Sequence, residues 1–482
     1  MTSPTPLRAL LNLMSDAVDT IESTFAAASL TFPALDSPKY DHADPAEVLC
    51  GEPAVAKAIS EIIAAAAQIT AAVRHPLQSA VLTACYFHLA SALRVSSELN
   101  LVELMREAGP EGLSIEQLSE QSKARPEVIS KILRILATFH IFREIAPGVF
   151  TNNRISSIMD KGKPSKELFE GNREDRFVGG TGGTAALVEF CGDEIFKGSS
   201  LLAETVLDTN PDGEKVPIKR ALGFTQPSMF QWFESTPENK FRVKRFGAAM
   251  HGTSTVNSDV VFLGFDWSQL PEGSTIVDVG SGPGSTPLAI AKRYPTLKVV
   301  CQDLAGTAEA AKTVRSIGRQ TTLSTSNAGW SSFRATHDFF NPQPASIAGN
   351  ADIYIMRHCI HNWQDEPSIK ILSHLRAAAK PTTQLVLMES ILPVVSGGEE
   401  EDPRVKDIPG AIRPSAPAPL LANGGVGSAR IYSMDMTMLN LLMAGERTVA
   451  GYVELLDKAG WKVVRIHRLP GIETCHIVAS PI

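Results

Sequence analysis

The chain lacks any pair of cysteines spaced to staple or to chelate. Its six (Cys50, Cys85, Cys191, Cys301, Cys359 and Cys475) are scattered over 482 residues without a C-x-x-C. In a chain this long that reads as reduced thiols, and it excludes a disulfide framework and zinc-finger spacing. A positive charge balance is also missing. The net charge of −7 argues against a general binder of nucleic acid or anionic membranes. No apolar run reaches membrane-spanning length: the longest, Ile59–Val73, is Ala-rich and interrupted by Gln68 and Thr70. Arg8 and the apolar Leu10–Met14 are followed at once by Asp16, Asp19 and Glu22, a poor signal peptide. These absences lead to the expectation of a cytoplasmic protein with no membrane or nucleic-acid partner and no metal.

What remains is an ordinary globular composition, 44% apolar and 20% charged, long enough for more than one domain. Residues 1–75 read as a helical arm: Leu7, Leu10, Leu11 and Met14 recur at helical spacing, as do Ile59, Ile62, Ile63, Ala66 and Ile69. Residues 76–160 carry a helix over Leu77–Leu93, then Asn100–Ala108, then a helix capped by Ser114 with Gln117 three residues on. Pro126 opens a further helix to Thr138, and Pro147-Gly148 turns a hairpin. That is winged-helix grammar. The candidate recognition helix holds only Lys131 and Arg134 as cations, too few for phosphate-driven affinity, so a structural or dimerisation role is favoured. Residues 161–253 form a helical linker whose Phe224, Met229, Phe230, Trp232, Phe233, Phe246 and Met250 are core or an apolar substrate wall. The glycine run Gly179–Gly183 follows no strand and reads as a loop. Residues 254–482 alternate β and α, which predicts a doubly wound sheet. The Gly- and Pro-rich 396–430 is expected to be a flexible, lid-like insertion with little to bury.

Thr275–Leu304 organises this last domain. Thr275–Val279 is a β-branched apolar strand ending near Asp278, and Gly280, Gly282 and Gly284 form a tight turn. Ser285 is placed to cap a helix to Arg293, and the strand Lys298–Cys301 leads to Asp303, an acid positioned for a ribose diol. A helix Ala305–Ile317 and a strand Thr321–Ser324 are expected next. The G-x-G-x-G spacing is one residue shorter than that of dinucleotide sites. With its strand–turn–helix–strand–Asp context, the stretch resembles motif I of class I S-adenosylmethionine-dependent methyltransferases.

A second signal lies at the end of the strand Ala351–Met356, where open α/β sheets bind ligands. Arg357, His358, His361 and Trp363 sit there. A histidine in that place serves as a general base or caps a helix, and position alone leaves both open. The run Met356-Arg357-His358-Cys359-Ile360-His361-Asn362-Trp363 resembles the catalytic segment of plant caffeate/flavonoid-type O-methyltransferases and their fungal secondary-metabolite relatives. Met388–Pro393 and Gly445–Thr448 resemble two further motifs of that family. The resemblance implies an α/β fold: a Rossmann-like methyltransferase sheet with an N-terminal all-helical, winged-helix dimerisation domain, acting as a homodimer. It implies that His361 is the base that deprotonates a substrate hydroxyl, flanked by Glu389 and Glu446. It assigns S-adenosyl-L-methionine to Asp278, Gly280, Gly282, Gly284, Asp303, Asp338, Phe339, Arg357 and Trp363. Asn362 and Arg357 stand where the family has an acid and a lysine. The substrate implied is a small aromatic or phenolic metabolite. Some fungal relatives bind the cofactor yet run pericyclic or dehydration chemistry; that alternative predicts no cofactor consumption.

Overall fold

The computed structural model describes residues 4–181, 183–256, 260–282, 284–304, 334–469 and 472–482. The helix expected at Ala305–Ile317 and the strand at Thr321–Ser324 lie outside the described residues. The chain divides into two compact units. One comprises Met1–Ala17, Ala56–Gln68 and Asn257–Ile482, the other Val18–Val55 and Ile69–Val256.

The second unit contains the winged helix. Helices Leu101–Ala108, Ile115–Ser122 and Pro126–Thr138 pack beside a small antiparallel sheet. Its strands are β1 (Leu113–Ser114), β2 (Arg143–Ala146) and β3 (Val149–Thr151), ordered β1-β3-β2. Ser114 Oγ accepts the Gln117 amide while Gln117 Oε1 accepts the Ser114 amide, a closed capping box. Leu104, Met105, Leu118, Ile129, Leu133, Leu136 and Phe150 fill the core, and Lys131 and Arg134 point to solvent. The single helix expected over Leu77–Leu93 is instead two, Pro76–Cys85 and Phe87–Glu98. They part at Tyr86, whose amide bonds Thr83 O in a tightened turn. The aromatic stripe packs largely on itself: Phe224 stacks on Trp232 at 4.7 Å, and Phe230 and Phe233 meet Phe246 edge-on or tilted.

The first unit is built on seven strands. They are β4 (Thr275–Val279), β5 (Lys298–Asp303), β6 (Arg334–Thr336), β7 (Ile353–Arg357), β8 (Gln384–Ser390), β9 (Trp461–Leu469) and β10 (Ile472–Pro481). Their order is β6-β5-β4-β7-β8-β10-β9. β6 through β8 run parallel, and β10 enters antiparallel between β8 and β9. The period of two along each strand feeds two cores, one per face. Val277, Val279, Tyr354, Met356, Leu385 and Leu387 pack with Ile371, Leu375, Tyr452 and Leu456 on one face. Ile276, Ile353, Ile355, Val386 and Met388 pack with Ile290, Val261 and Trp267 on the other. Every parallel strand therefore delivers its C-terminal end to one edge of a sheet covered on both sides.

Two expectations are corrected here. Residues 396–430 are irregular, but Val405 and Ala411 are buried in the sheet core. Ile466 of β9 donates its amide to Pro409 O, and Arg468 bonds Ala411 O at 2.6 Å. Sparse apolar residues at the right contacts suffice to fix a segment whose composition reads as flexible. The apolar run near the N-terminus is also longer than expected. It forms one helix, Pro53–Val73, of 21 residues, long and apolar enough by length and composition to cross a membrane. Within the first unit it is docked through buried Ala58, Ala64 and Ala65, and Gln68 donates to Pro419 O at 2.8 Å.

Candidate active site

The glycine turn follows β4 directly. Gly280 and Gly282 have φ of +72° and +55°, a region that penalises any Cβ. A Cβ on Gly280 would stand 2.9 Å from Cys359 Sγ and 3.5 Å from Phe339 Cε1, whereas one on Gly282 would meet nothing within 4 Å among the described residues. The first glycine is therefore required by the protein's own packing, and the second opens onto space beside the backbone. The Gly282 amide donates to Asp303 Oδ2 at 2.7 Å, which ties the end of β5 to the turn. The helix Ser285–Arg293 begins at Gly284 with no side-chain cap. The expected cap by Ser285 is thus corrected: Ser285 is the first helical residue and cannot reach back to its own turn, so the first-turn amides gain no side-chain acceptor from it.

Asp278 is buried, and burial pushes its carboxyl up to about 7, with Arg357 opposing and Asp303 adding to the rise. Arg357, at the end of β7, donates to Thr286 Oγ1 at 3.2 Å on the first turn of that helix. Phe339 stands against Gly280, and Trp363 meets Phe340 edge-on at 4.8 Å and Phe339 at 5.8 Å. Asp338 is exposed and turned inward on its own loop, accepting from the Phe340 amide and from Asn341 Nδ2.

The histidine loop leaves β7 through His358, whose φ of +47° is a strained turn for a non-glycine residue. One turn over Ile360–Asn362 then brings His361 inward to 7% exposure. His361 Nδ1 lies 2.7 Å from Glu446 Oε1 and 3.8 Å from Glu389 Oε2. Burial acts to lower the imidazole pKa, but Glu389 and then Glu446 outweigh it and raise it. Glu389 comes from the middle of the sheet, on β8. Its Oε1 accepts the amides of Cys359 and Ile360 at 2.9 and 2.8 Å, so the carboxylate orients the loop as well as facing the ring. Burial raises the pKa of Glu389, opposed by His361. Glu446 is placed by Asp435, whose Oδ1 accepts the Glu446 amide at 2.8 Å.

Sequence reasoning missed the residues that hold this triad. Arg447 donates to Ile360 O at 3.3 Å, Trp363 O at 2.8 Å and Asp365 Oδ1 at 2.8 Å. It clasps the histidine loop to the start of the helix Asp365–Ala378. Its place in the Gly445–Thr448 motif was the available signal. Asp435 and Thr286 gave none, since each acts on a residue in another element.

A glycine turn, an acid at the next strand end and a histidine between two carboxylates, all on one edge of this sheet, define a class I methyltransferase architecture. The comparisons give the family. Residues 200–408 match the O-methyltransferase domain, and residues 81–161 match the O-methyltransferase dimerisation domain. A 4-O-methyltransferase of Phanerochaete chrysosporium is 34% identical over 96% of this chain and 96% of its own. Among solved structures, the mitomycin 7-O-methyltransferase MmcR covers 87% of this chain and 99% of its own at 21% identity and a TM-score of 0.59. A pericyclic reaction enzyme covers 88% of this chain and 94% of its own at 18% identity and 0.63. The latter two show the fold alone. The chain belongs to the S-adenosylmethionine-dependent O-methyltransferase family.

The residues present fit that cofactor. Among the described residues, the open space at Gly282, the helix start without a side-chain cap, the Asp303 carboxylate and the Phe339 ring beside Gly280 offer close backbone approach, amide donors, a diol acceptor and a flat apolar surface.

Proposed function

We propose that this protein, as a homodimer joined through its dimerisation domain, methylates a hydroxyl of a small phenolic or other aromatic metabolite, with His361 as the general base. The observation that carries the reading is the 2.7 Å contact between His361 Nδ1 and Glu446 Oε1, with Glu389 behind the ring. A phenol has a pKa of ~10, so at neutral pH roughly one molecule in 10³ carries the nucleophilic oxyanion. A base at the site removes that shortage. Glu446, accepting from Nδ1–H, selects the tautomer whose lone pair is on Nε2, the nitrogen that takes the hydroxyl proton. Glu389 and Glu446 then stabilise the imidazolium that results. Such general-base assistance contributes ~10²–10⁴ in rate. When bound, S-adenosylmethionine supplies an electrophilic methyl group on a sulfonium. We assign its binding to Asp278, Gly280, Gly282, Gly284, Asp303, Phe339, Arg357 and Trp363, with Asp338 at the rim.

The test is incubation of the full chain with methyl-labelled S-adenosylmethionine and a panel of phenols. Label in an extractable aromatic product supports the reading. Product formed with the label retained in the cofactor overturns it in favour of a non-methylating catalyst of the same fold.

A further inference from the structure

The sequence shows no metal-ligand spacing, yet folding assembles a nitrogen–nitrogen–oxygen donor set beside the base. One ligand atom each from His358, His361 and Glu389 lies within 4.8 Å of the others. Glu389 Oε2 is 3.8 Å from His361 Nδ1 and 4.0 Å from His358 Nδ1, and the two rings are 5.6 Å apart. A tetrahedral Zn²⁺ with bonds of ~2.0–2.1 Å holds its donors about 3.4 Å apart, so the two Glu389 distances need to close by roughly half an ångström and the widest separation in the set by up to about 1.4 Å, which takes side-chain rotation on binding. On its far side the His358 ring has support: Thr474 Oγ1 is 3.4 Å from Nε2, which leaves Nδ1 toward the cluster.

Two further observations point to a cation. Glu389 is fully buried, and among the described residues its Oε2 accepts no hydrogen bond, so a buried carboxylate oxygen faces the two imidazoles without a donor. The charge is also unbalanced. The side chains of Glu389 and Glu446 are both 0% exposed and face one histidine. Two carboxylates beside imidazoles that rest neutral gather negative charge away from water, and a divalent ion offsets it. Two imidazoles and a carboxylate suit borderline metals and not Ca²⁺ or Mg²⁺.

We infer that His358, His361 and Glu389 form a binding site for one borderline-soft divalent cation such as Zn²⁺, and that its occupancy switches the enzyme off. Coordination through His361 Nδ1 breaks the hydrogen bond from Nδ1 to Glu446 Oε1 and moves the ring proton to Nε2. The lone pair assigned to the substrate proton is then gone. The inhibitory half rests on the base assignment above; the site itself does not.

Metal-stripped full-length protein titrated calorimetrically with Zn²⁺, and with Co²⁺ as a spectroscopic probe, tests it. His358→Asn is the informative variant, since asparagine tolerates the left-handed backbone there. Expected are one ion per wild-type chain with intense Co²⁺ ligand-field bands, at least tenfold weaker binding in His358→Asn, and Zn²⁺-resistant methyl transfer by that variant. Unchanged Zn²⁺ affinity in both His358→Asn and Glu389→Gln overturns the site, whatever His361 does. Zn²⁺ binding that is lost in His358→Asn but never slows the wild type supports the site and overturns the switch, together with the base assignment.

Discussion

His361 Nδ1 and Glu446 Oε1 meet at 2.7 Å across 85 residues of sequence, inside a wall that keeps the Glu446 side chain fully buried. A carboxylate in that position can only accept, so it fixes which ring nitrogen holds the proton. Glu446→Gln can present its amide NH₂ to the ring and so permits the other tautomer. It is expected to lower kcat roughly tenfold or more while leaving the S-adenosylmethionine Kd within about twofold. Steady-state kinetics beside a cofactor titration checks the split.

Arg447 and Asp365 give a contrast between a bonded backbone and a surface ion pair. The Arg447 side chain is 11% exposed and Asp365 is 72% exposed, so the ion pair itself contributes little. The hydrogen bonds from Arg447 to Ile360 O and Trp363 O are what hold the histidine loop. Asp365→Ala is therefore expected to retain near-full turnover. Arg447→Ala is expected to lose about 1–3 kcal/mol of stability, with faster amide exchange across residues 359–363. Arg447→Lys does not rescue, since a single ammonium cannot reproduce the guanidinium fork.

The two glycines of the turn separate fold from ligand. Gly280→Ala places a methyl against Cys359 Sγ at positive φ and is expected to lower Tm along with cofactor binding. In Gly282→Ala the methyl meets no atom of the described residues within 4 Å, so the expected cost to the fold is the backbone term of about 1–2 kcal/mol. Cofactor affinity is expected to fall by more than that cost accounts for. Thermal melts with and without S-adenosylmethionine distinguish the two.

His476 is expected to contribute to the acid sensitivity of the fold. It is fully buried on β10, accepts the Phe265 amide at Nδ1 at 2.9 Å, and burial lowers its pKa to about 4. Between pH 6.5 and 4 the unfolded chain binds a proton there that the folded chain does not. Its stability contribution is complete above pH 6.5 and is lost as pH falls toward 4, by on the order of 3 kcal/mol. Denaturant midpoints over that range are expected to fall less steeply in His476→Gln than in the parent.

The parts legible in the sequence are those written locally. The apolar strand Thr275–Val279 with its glycines and the Arg357–Trp363 segment each announce themselves within a dozen residues. The capping box at Ser114 and the hairpin at Pro147-Gly148 do so as well. What stayed hidden depends on contacts between distant elements. Nothing near Val405 or Ala411 says that they will enter the sheet core, and nothing near Glu389 says that its oxygen will take the Cys359 and Ile360 amides. Likewise, His358 carries no metal-ligand spacing. Only the approach of β7 to β8 sets it beside Glu389.

The central claim is that His361 removes the proton during a true methyl transfer. The most direct measurement is the paired yield of S-adenosylhomocysteine and methylated phenol over a single turnover, in the wild type and in His361→Ala. The account predicts equal yields of the two products in the wild type, and a ~10²–10⁴-fold slower rate in a variant that still binds the cofactor. Undiminished turnover by His361→Ala, or product without S-adenosylhomocysteine, would contradict it.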